Sequence, residues 1–430
     1  MRFATLDAWL AWQERLHPST IDMGLERVRR VYEAMGLRPF TSPVITVGGT
    51  NGKGSCVALL ESILGAQGLK VGSFTSPHLI RYNERVHVGG REASDNELIG
   101  AFERITDARG AVSLTFFEYN ALAALAVFAD AALDAVILEV GLGGRLDAVN
   151  LIDADVALIV SVGLDHMEWL GATREAIGRE KAGILRAGRP AVFGSADMPE
   201  SVHAMARAIG AEVIGPPRDF RWSRTGGRWL WQGRSRTYPD LPPPALAGPR
   251  QFDNAAAVLA VFEALEPRLH IGRQAIARGL ESVQLPGRFQ SVDRAGVTWI
   301  VDVAHNAAAA ETLALNLAQT PSGGRTVAVF GALKDKDVAA VTRAVAGQID
   351  EWFLTTTPGE RGLEAGELKR RAFGDGEARV TLTGTMPAAF EEVAQHVRPG
   401  DRVVVFGSFH MAGPALEWLG LYSRPLQSLR

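Results

Sequence analysis

Residues 43–56, PVITVGGTNGKGSC, constrain this chain more than any other stretch, because a short β-branched strand runs straight into a glycine-rich turn that carries a lysine. Val44, Ile45 and Val47 favour the extended strand. Gly48, Gly49, Gly52 and Gly54 let the backbone turn sharply and present N–H groups to an anion, and Lys53 adds charge. From Ser55 onward the sequence VALLESILGAQG has a helical pattern, so the turn opens onto a helix N-terminus, where the dipole and unpaired N–H groups favour phosphate. The spacing departs from the strict GxxxxGK[ST] motif, since Gly54 separates Lys53 from Ser55. The plainer reading is a glycine turn with a surface lysine.

The rest of the chain arranges similar devices around that turn. Helices are expected at 1–16, 24–37, 95–108 (opened by a Ser94/Glu97 capping box), 117–131 and 173–186, with a hairpin at 85–90. Apolar strands at 71–75, 135–140 and 156–162 end on Ser76-Pro77-His78, on Glu139 with GLGG, and on Gly163-Leu164-Asp165-His166. Strands that finish in polar turns build a site along the carboxyl edge of a parallel sheet. Trp222, Trp229 and Trp231 alternate with arginines around a Gly-Gly turn and read as an antiparallel hairpin at 220–240. Pro286-Gly287 marks a boundary, after which strands at 297–303, 326–331, 352–356, 379–383 and 402–407 alternate with helices. The expectation is an α/β chain of two domains: residues 1–285, a parallel sheet with a small antiparallel one, and residues 286–430, a smaller Rossmann-like unit.

Composition excludes several classes. A formal net charge of −3 gives no global field for nucleic acid or an anionic membrane. The uncharged C-terminal stretch at 403–416 is broken by glycines and Pro414, so no span is expected, and residues 1–16 read as amphipathic rather than as a signal peptide. The single Cys56 rules out an internal disulfide, fits a cytoplasmic protein and is expected as a small buried apolar residue. Only six of 45 basic residues are lysine, so a lysine more often marks a need for a compact or reactive amine.

Ser76, Glu139 and His166 each end a strand on the cradle's edge and could together hold Mg²⁺ against phosphate oxygens, although each alone has an ordinary reading as turn or cap. By the same default, Lys181 is a solvated ion-pair partner of Glu180 or Glu175.

The set GTNGKGS at 49–55, TSPHL at 75–79, EVGLGGRLDAVN at 139–150, LDH at 164–166, REKAGI at 179–184 and DVAHN at 302–306 resembles the folylpolyglutamate synthase and dihydrofolate synthase family of the Mur-ligase superfamily. The likeness continues to GSFH at 407–410. It implies an ATP-dependent ligase, with residues 1–285 as the ATP-binding Mur-ligase-like domain and 286–430 as the ligase domain. A dihydropteroate or folate carboxylate takes the γ-phosphoryl group, and L-glutamate displaces phosphate from the acyl phosphate. The resemblance places Thr50, Asn51, Gly52, Lys53, Gly54 and Ser55 on the ATP phosphates and one or two Mg²⁺ ions on Ser76, Glu139 and His166. Lys181 matches a lysine carbamylated by CO₂. Asn254, Arg288, Asp302 and His305 match nucleotide contacts, with Lys53, Lys181, Arg288 and His305 serving catalysis.

The pteroate substrate falls to Asp22, Met23 and Gly24, to Thr115, Phe116, Phe117 and Glu118, and to Leu146, Asp147 and Ala148. The two phenylalanines suit a flat ring or, equally, helix packing. Ala307 stands where many relatives have proline, which implies a different helix start and unchanged chemistry. A cytoplasmic monomer acting on small molecules is expected. Two alternatives remain: another Mur-type amino-acid ligase, less expected because those enzymes carry a nucleotide-sugar domain ahead of the cradle and only 47 residues precede Gly48 here, and a P-loop switch that hydrolyses nucleotide without needing glutamate.

Overall fold

A computed structural model describes residues 2–266, 268–374 and 378–422. The chain divides into two compact units, one of Met1–Ala245 with Gln251–Gln284 and one of Leu246–Arg250 with Leu285–Arg430. The short return segment Leu246–Arg250 thus belongs with the second unit, which a reading along the sequence assigned wholly to the first.

The first unit is built on an eight-stranded sheet. Its parallel part runs, in spatial order, Val71–Phe74, Ala135–Glu139, Val44–Gly48, Val156–Ile159, Pro190–Phe193 and Glu212–Ile214. The antiparallel strands Val86–Val88 and Arg91–Glu92 extend one edge as the expected hairpin. The central strands Val44–Gly48 and Ala135–Glu139 are buried along their whole length, as strands covered on both faces must be. That burial explains the unbroken apolar runs.

Helix boundaries follow local chemistry. Ser94 and Thr115 each form a capping box, with Glu97 and Glu118, and open the helices Asp95–Arg109 and Phe116–Ala129. The first helix covers only Leu6–Gln13, shorter than 1–16, because Thr5 caps its start. The phosphate-turn helix begins at Lys53 rather than Ser55, with Gly52 as its cap in the left-handed region. The strand at 156 ends at Ile159, which leaves residues 160–166 as the turn that braces the site.

The tryptophan segment is a three-stranded antiparallel sheet, Arg221–Thr225, Arg228–Gln232 and Thr237–Leu241, one strand more than the hairpin expected. Trp229 and Trp231 are fully buried, and their Nε1–H groups donate to the carbonyls of Pro242 and Ala256 at 2.7 and 3.0 Å. Indoles packed and satisfied in this way belong to a core, not to a nucleic-acid surface.

The second unit has a six-stranded sheet in the order Gln290–Arg294, Val297–Val301, Arg402–Phe406, Thr326–Phe330, Glu351–Leu354 and Val380–Leu382. All pairs are parallel except the first, Gln290–Arg294, which the sequence reading missed because QSVDR carries no apolar pattern. Asn306 caps the helix Ala307–Gln319 by accepting from Ala309 N, so Ala307 takes the first helical position without help from proline. No helix among the described residues is long and apolar enough to cross a membrane.

Candidate active site

The turn after Val44–Gly48 is held from below by the exit of the neighbouring strand. Thr50 N donates to the Ser161 carbonyl at 2.8 Å, Asn51 N donates to Ser161 Oγ at 3.0 Å, and Thr50 Oγ1 both donates to and accepts from the Gly163 backbone. Gly52 has φ +87°, and a Cβ there would lie 2.8 Å from Val160 Cγ1 and 2.9 Å from Asn254 Oδ1. Only glycine allows this backbone to pass so close to Asn254. The helix Lys53–Ala66 begins without any side-chain cap, so its first N–H groups stay available to an anion.

Two lysines meet on one carbonyl. Lys53 Nζ donates to Gly49 O at 3.0 Å and to Thr50 O at 3.3 Å, while Lys181 Nζ donates to the same Gly49 O at 3.0 Å. Lys181 is buried, so the solvated ion-pair reading is wrong. Glu180 pairs with Arg145, and Glu175 accepts from the Ser201 and Glu200 amides, so neither serves Lys181. Burial, with the charge of Lys53 adding to it, lowers Lys181 from 10.5 to about 7, against the opposing pull of Asp165 and Asp147. At neutral pH the amine is therefore neutral far more often than that of an exposed lysine.

At the next strand end, Ser76 N donates to Glu139 Oε2 at 3.2 Å, which sets the Ser76 backbone beside that carboxylate. His166 stands on its own turn at φ 51°, with its amide donating to Asp165 Oδ1 at 2.9 Å. Among the described residues no three His, Cys, Asp or Glu side chains group as a ready metal cluster. A carboxylate and a hydroxyl beside a phosphate turn nevertheless suit Mg²⁺, which keeps waters and takes phosphate oxygens instead of demanding a full protein cage. Arg85, which sequence reasoning passed over, is buried here, donates from Nε to His78 Nδ1 at 2.8 Å and feels the charge of Glu139. Cys56 is buried as expected, and burial raises its thiol well above the usual range.

The three segments matched to pteroate come together. Arg27 Nη2 links Asp22 to Glu118, Met23 Cε lies 3.3 Å from where a Gly143 Cβ would be, and the Phe117 ring lies 2.5 Å from where a Gly141 Cβ would be. Phe116 faces the Arg85 guanidinium at 5.6 Å, and Phe117 packs near Phe74. Thr115 and Glu118 are committed to capping the helix. Gly24 ends the first of these segments, Leu146 is half-buried in the turn, and Ala148 starts a short helix capped by Asp147. Asp147 Oδ2 accepts from Leu142 N at 2.8 Å, and burial pushes its carboxyl up to about 7 against those backbone bonds and the nearby Lys53 charge.

The residues of the second unit form their own group at a strand end. Asp302 accepts from Phe289 N at 2.8 Å and from Ala304 N at 2.7 Å, and its carboxyl is raised by burial although Arg288 works against that. The Arg288 guanidinium lies 5.3 Å over the Phe409 ring, and His305 stands 6.1 Å from the same ring.

A phosphate turn with a lysine pair in one unit, and a Rossmann-like second unit, define a Mur ligase: residues 47–214 match the Mur ligase middle domain and residues 287–409 match the Mur ligase glutamate ligase domain. The dihydrofolate synthase/folylpolyglutamate synthase of Escherichia coli (strain K12) is 43% identical over 96% of this chain and 95% of its own length. That of Haemophilus influenzae is 39% identical over 94% of this chain and 95% of its own. Among solved structures, E. coli FolC in complex with DHPP and ADP superposes with a TM-score of 0.91 at 42% identity, covering 97% of this chain and 98% of that one. A bifunctional folylpolyglutamate synthase/dihydrofolate synthase with Mn, AMPPNP and L-glutamate bound gives 0.89 at 43% identity, with the same coverage. The chain belongs to the dihydrofolate synthase/folylpolyglutamate synthase family.

Proposed function

We propose that the chain uses ATP to join L-glutamate to the carboxylate of dihydropteroate, giving dihydrofolate, and to extend folates by further glutamates. The observation that carries this reading is the convergence of Lys53 and Lys181 on Gly49 O beneath an uncapped helix N-terminus, beside Ser76 and Glu139. Direct transfer between two anions needs no protein nucleophile. It needs a cation and oriented N–H groups, which Lys53 and the helix N-terminus supply.

The roles are those that the family resemblance implies. Thr50 to Ser55 cradle the phosphates, with Lys53 on the transferring group, and Asn254, Arg288, Asp302 and His305 contact the nucleotide. Ser76 and Glu139 would hold a Mg²⁺ ion and His166 a second, which when bound would neutralise phosphate charge. The segments at Asp22, Phe117 and Asp147 take the pteroate, whose carboxylate oxygen attacks the γ-phosphorus and expels ADP. The glutamate amine then attacks the acyl carbon, and phosphate leaves.

Lys181 is assigned as carbamylated. Its neutral amine forms an N–C bond to CO₂ and loses a proton, which replaces a buried base with an anion opposite Lys53. The family's relatives with ADP, AMPPNP, Mn and L-glutamate bound support the nucleotide, metal and amino-acid assignments. The reading includes a cytoplasmic site of action, as the resemblance implies.

The test is ADP release measured with dihydropteroate and L-glutamate omitted in turn. Release should need both. Fast release that is indifferent to glutamate would mean hydrolysis and would reject ligation.

A further inference from the structure

We propose that Arg27 is a positioning residue for the acceptor substrate, clamping the loop at Asp22–Gly24 to the start of the helix Phe116–Ala129 and so fixing the gap between two walls of the pteroate pocket. The inference rests on the pteroate assignment made above and adds a residue outside the matched segments.

Arg27 sits in the first turn of the helix Glu26–Met35, and helical side chains lean back toward the helix N-terminus, which here is where the loop lies. Nη1 donates to Asp22 Oδ2 at 2.6 Å and Nη2 to the Asp22 carbonyl at 2.7 Å. Gripping backbone and side chain of one residue fixes its orientation, which a point charge could not do. Nη2 also donates to Glu118 Oε1 at 3.1 Å. The other oxygen of Glu118, Oε2, accepts from Thr115 N at 2.8 Å, and the side chain is only 5% exposed.

Both Glu118 oxygens are thus committed inside the protein. Its part is to hold Arg27 and the helix start, while ring contact falls to its neighbour Phe117. The helix Glu26–Met35 shows no side-chain cap among the described residues, and the Arg27 bonds to Asp22 tie the loop to it. Arg27 keeps this pose although its Nε–H is buried with no hydrogen-bond partner among the described residues. His17 approaches the same Asp22 oxygen at 3.5 Å and closes the loop from the other side. Met23, next to the clamped residue, reaches the turn at Gly143, so movement of Asp22 would shift a second wall as well.

Steady-state kinetics of the full-length enzyme with dihydropteroate, ATP and L-glutamate test the clamp. Arg27→Ala should raise KM for dihydropteroate about tenfold or more while KM for ATP stays within about twofold, since lost preorganisation is charged to the ligand that needed it. Arg27→Lys, whose single ammonium cannot span the three acceptors, should recover only a minor part. Should Arg27→Ala fold poorly, Glu118→Gln, which keeps an acceptor for Thr115 N and removes the ion pair, should give the same split. Phe117→Ala reports on the pocket itself. If it raises KM for dihydropteroate while the clamp variants do not, or if their KM for ATP rises in step, the clamp is refuted and the pocket stands. If none of these variants moves KM for dihydropteroate, the pocket assignment fails and the clamp falls with it.

Discussion

Lys181→Met should abolish ligation and at the same time make the unmodified protein more stable. Methionine has similar length and no charge, and Gly49 O keeps the bond from Lys53, so no acceptor is orphaned. What disappears is the cost of a charge held in the interior. A lysine lowered from 10.5 to about 7 carries a penalty on its charged form of the order of 5 kcal/mol. The sign follows from proton counting. Between the folded and unfolded values the unfolded chain binds a proton that the fold does not, so the wild-type protein gains stability as pH rises from about 7 toward 10.5. The variant lacks this gain.

Urea melts of both proteins, in CO₂-depleted buffer without nucleotide, should therefore give the variant its largest advantage near pH 7 and below. From about pH 7 to 9 the advantage should shrink by roughly 2–3 kcal/mol. The raised carboxyl of Asp147 titrates from its ordinary value up to about 7, below this window, and both proteins share it. Adding bicarbonate should stabilise the wild type alone, because only it can be carbamylated. A variant no more stable than wild type at either pH, or an advantage independent of pH, would refute the buried neutral amine.

Lys53→Ala should cut turnover by about a thousandfold or more with little change in melting temperature, since it removes a cation from the transferring group. Gly52→Ala should cost about 1–3 kcal/mol of backbone strain and also weaken ATP binding, measured by calorimetry, because its Cβ would displace Asn254. Asp302→Ala should destabilise the protein by about 2–4 kcal/mol in chemical melts, as the Phe289 and Ala304 amides both lose their acceptor. His305→Ala leaves those amides paired and should lower the ligation rate with a near-normal melt, which makes it the cleaner probe of the second unit.

Much of this was legible because it is local. The phosphate turn, the apolar strands ending on Ser76 and Glu139, and the capping box at Ser94 are written in contiguous residues whose period and turn chemistry leave few options. The features that escaped depend on contacts distant in sequence. Lys181 lies in REAIGREK, a strongly polar helix that reads as solvent-facing, and its burial comes from packing onto the phosphate turn. Leu246–Arg250 joins the second unit through a packing choice that no local pattern encodes. Arg27 is one arginine among several in ERVRRV, and only the folded loop singles it out. Glu118 was expected only at the pteroate, and neither its cap with Thr115 nor its ion pair to a residue 91 positions away was read from the sequence.

The acyl phosphate is the centre of this account, and oxygen tracing tests it most directly. Dihydropteroate carrying heavy oxygen in both carboxylate positions would be turned over with ATP and L-glutamate, and the released phosphate analysed by mass. Attack of the carboxylate on the γ-phosphorus predicts one heavy oxygen in each phosphate and one retained in the amide product. Phosphate free of label, with product formed at the normal rate, would contradict it.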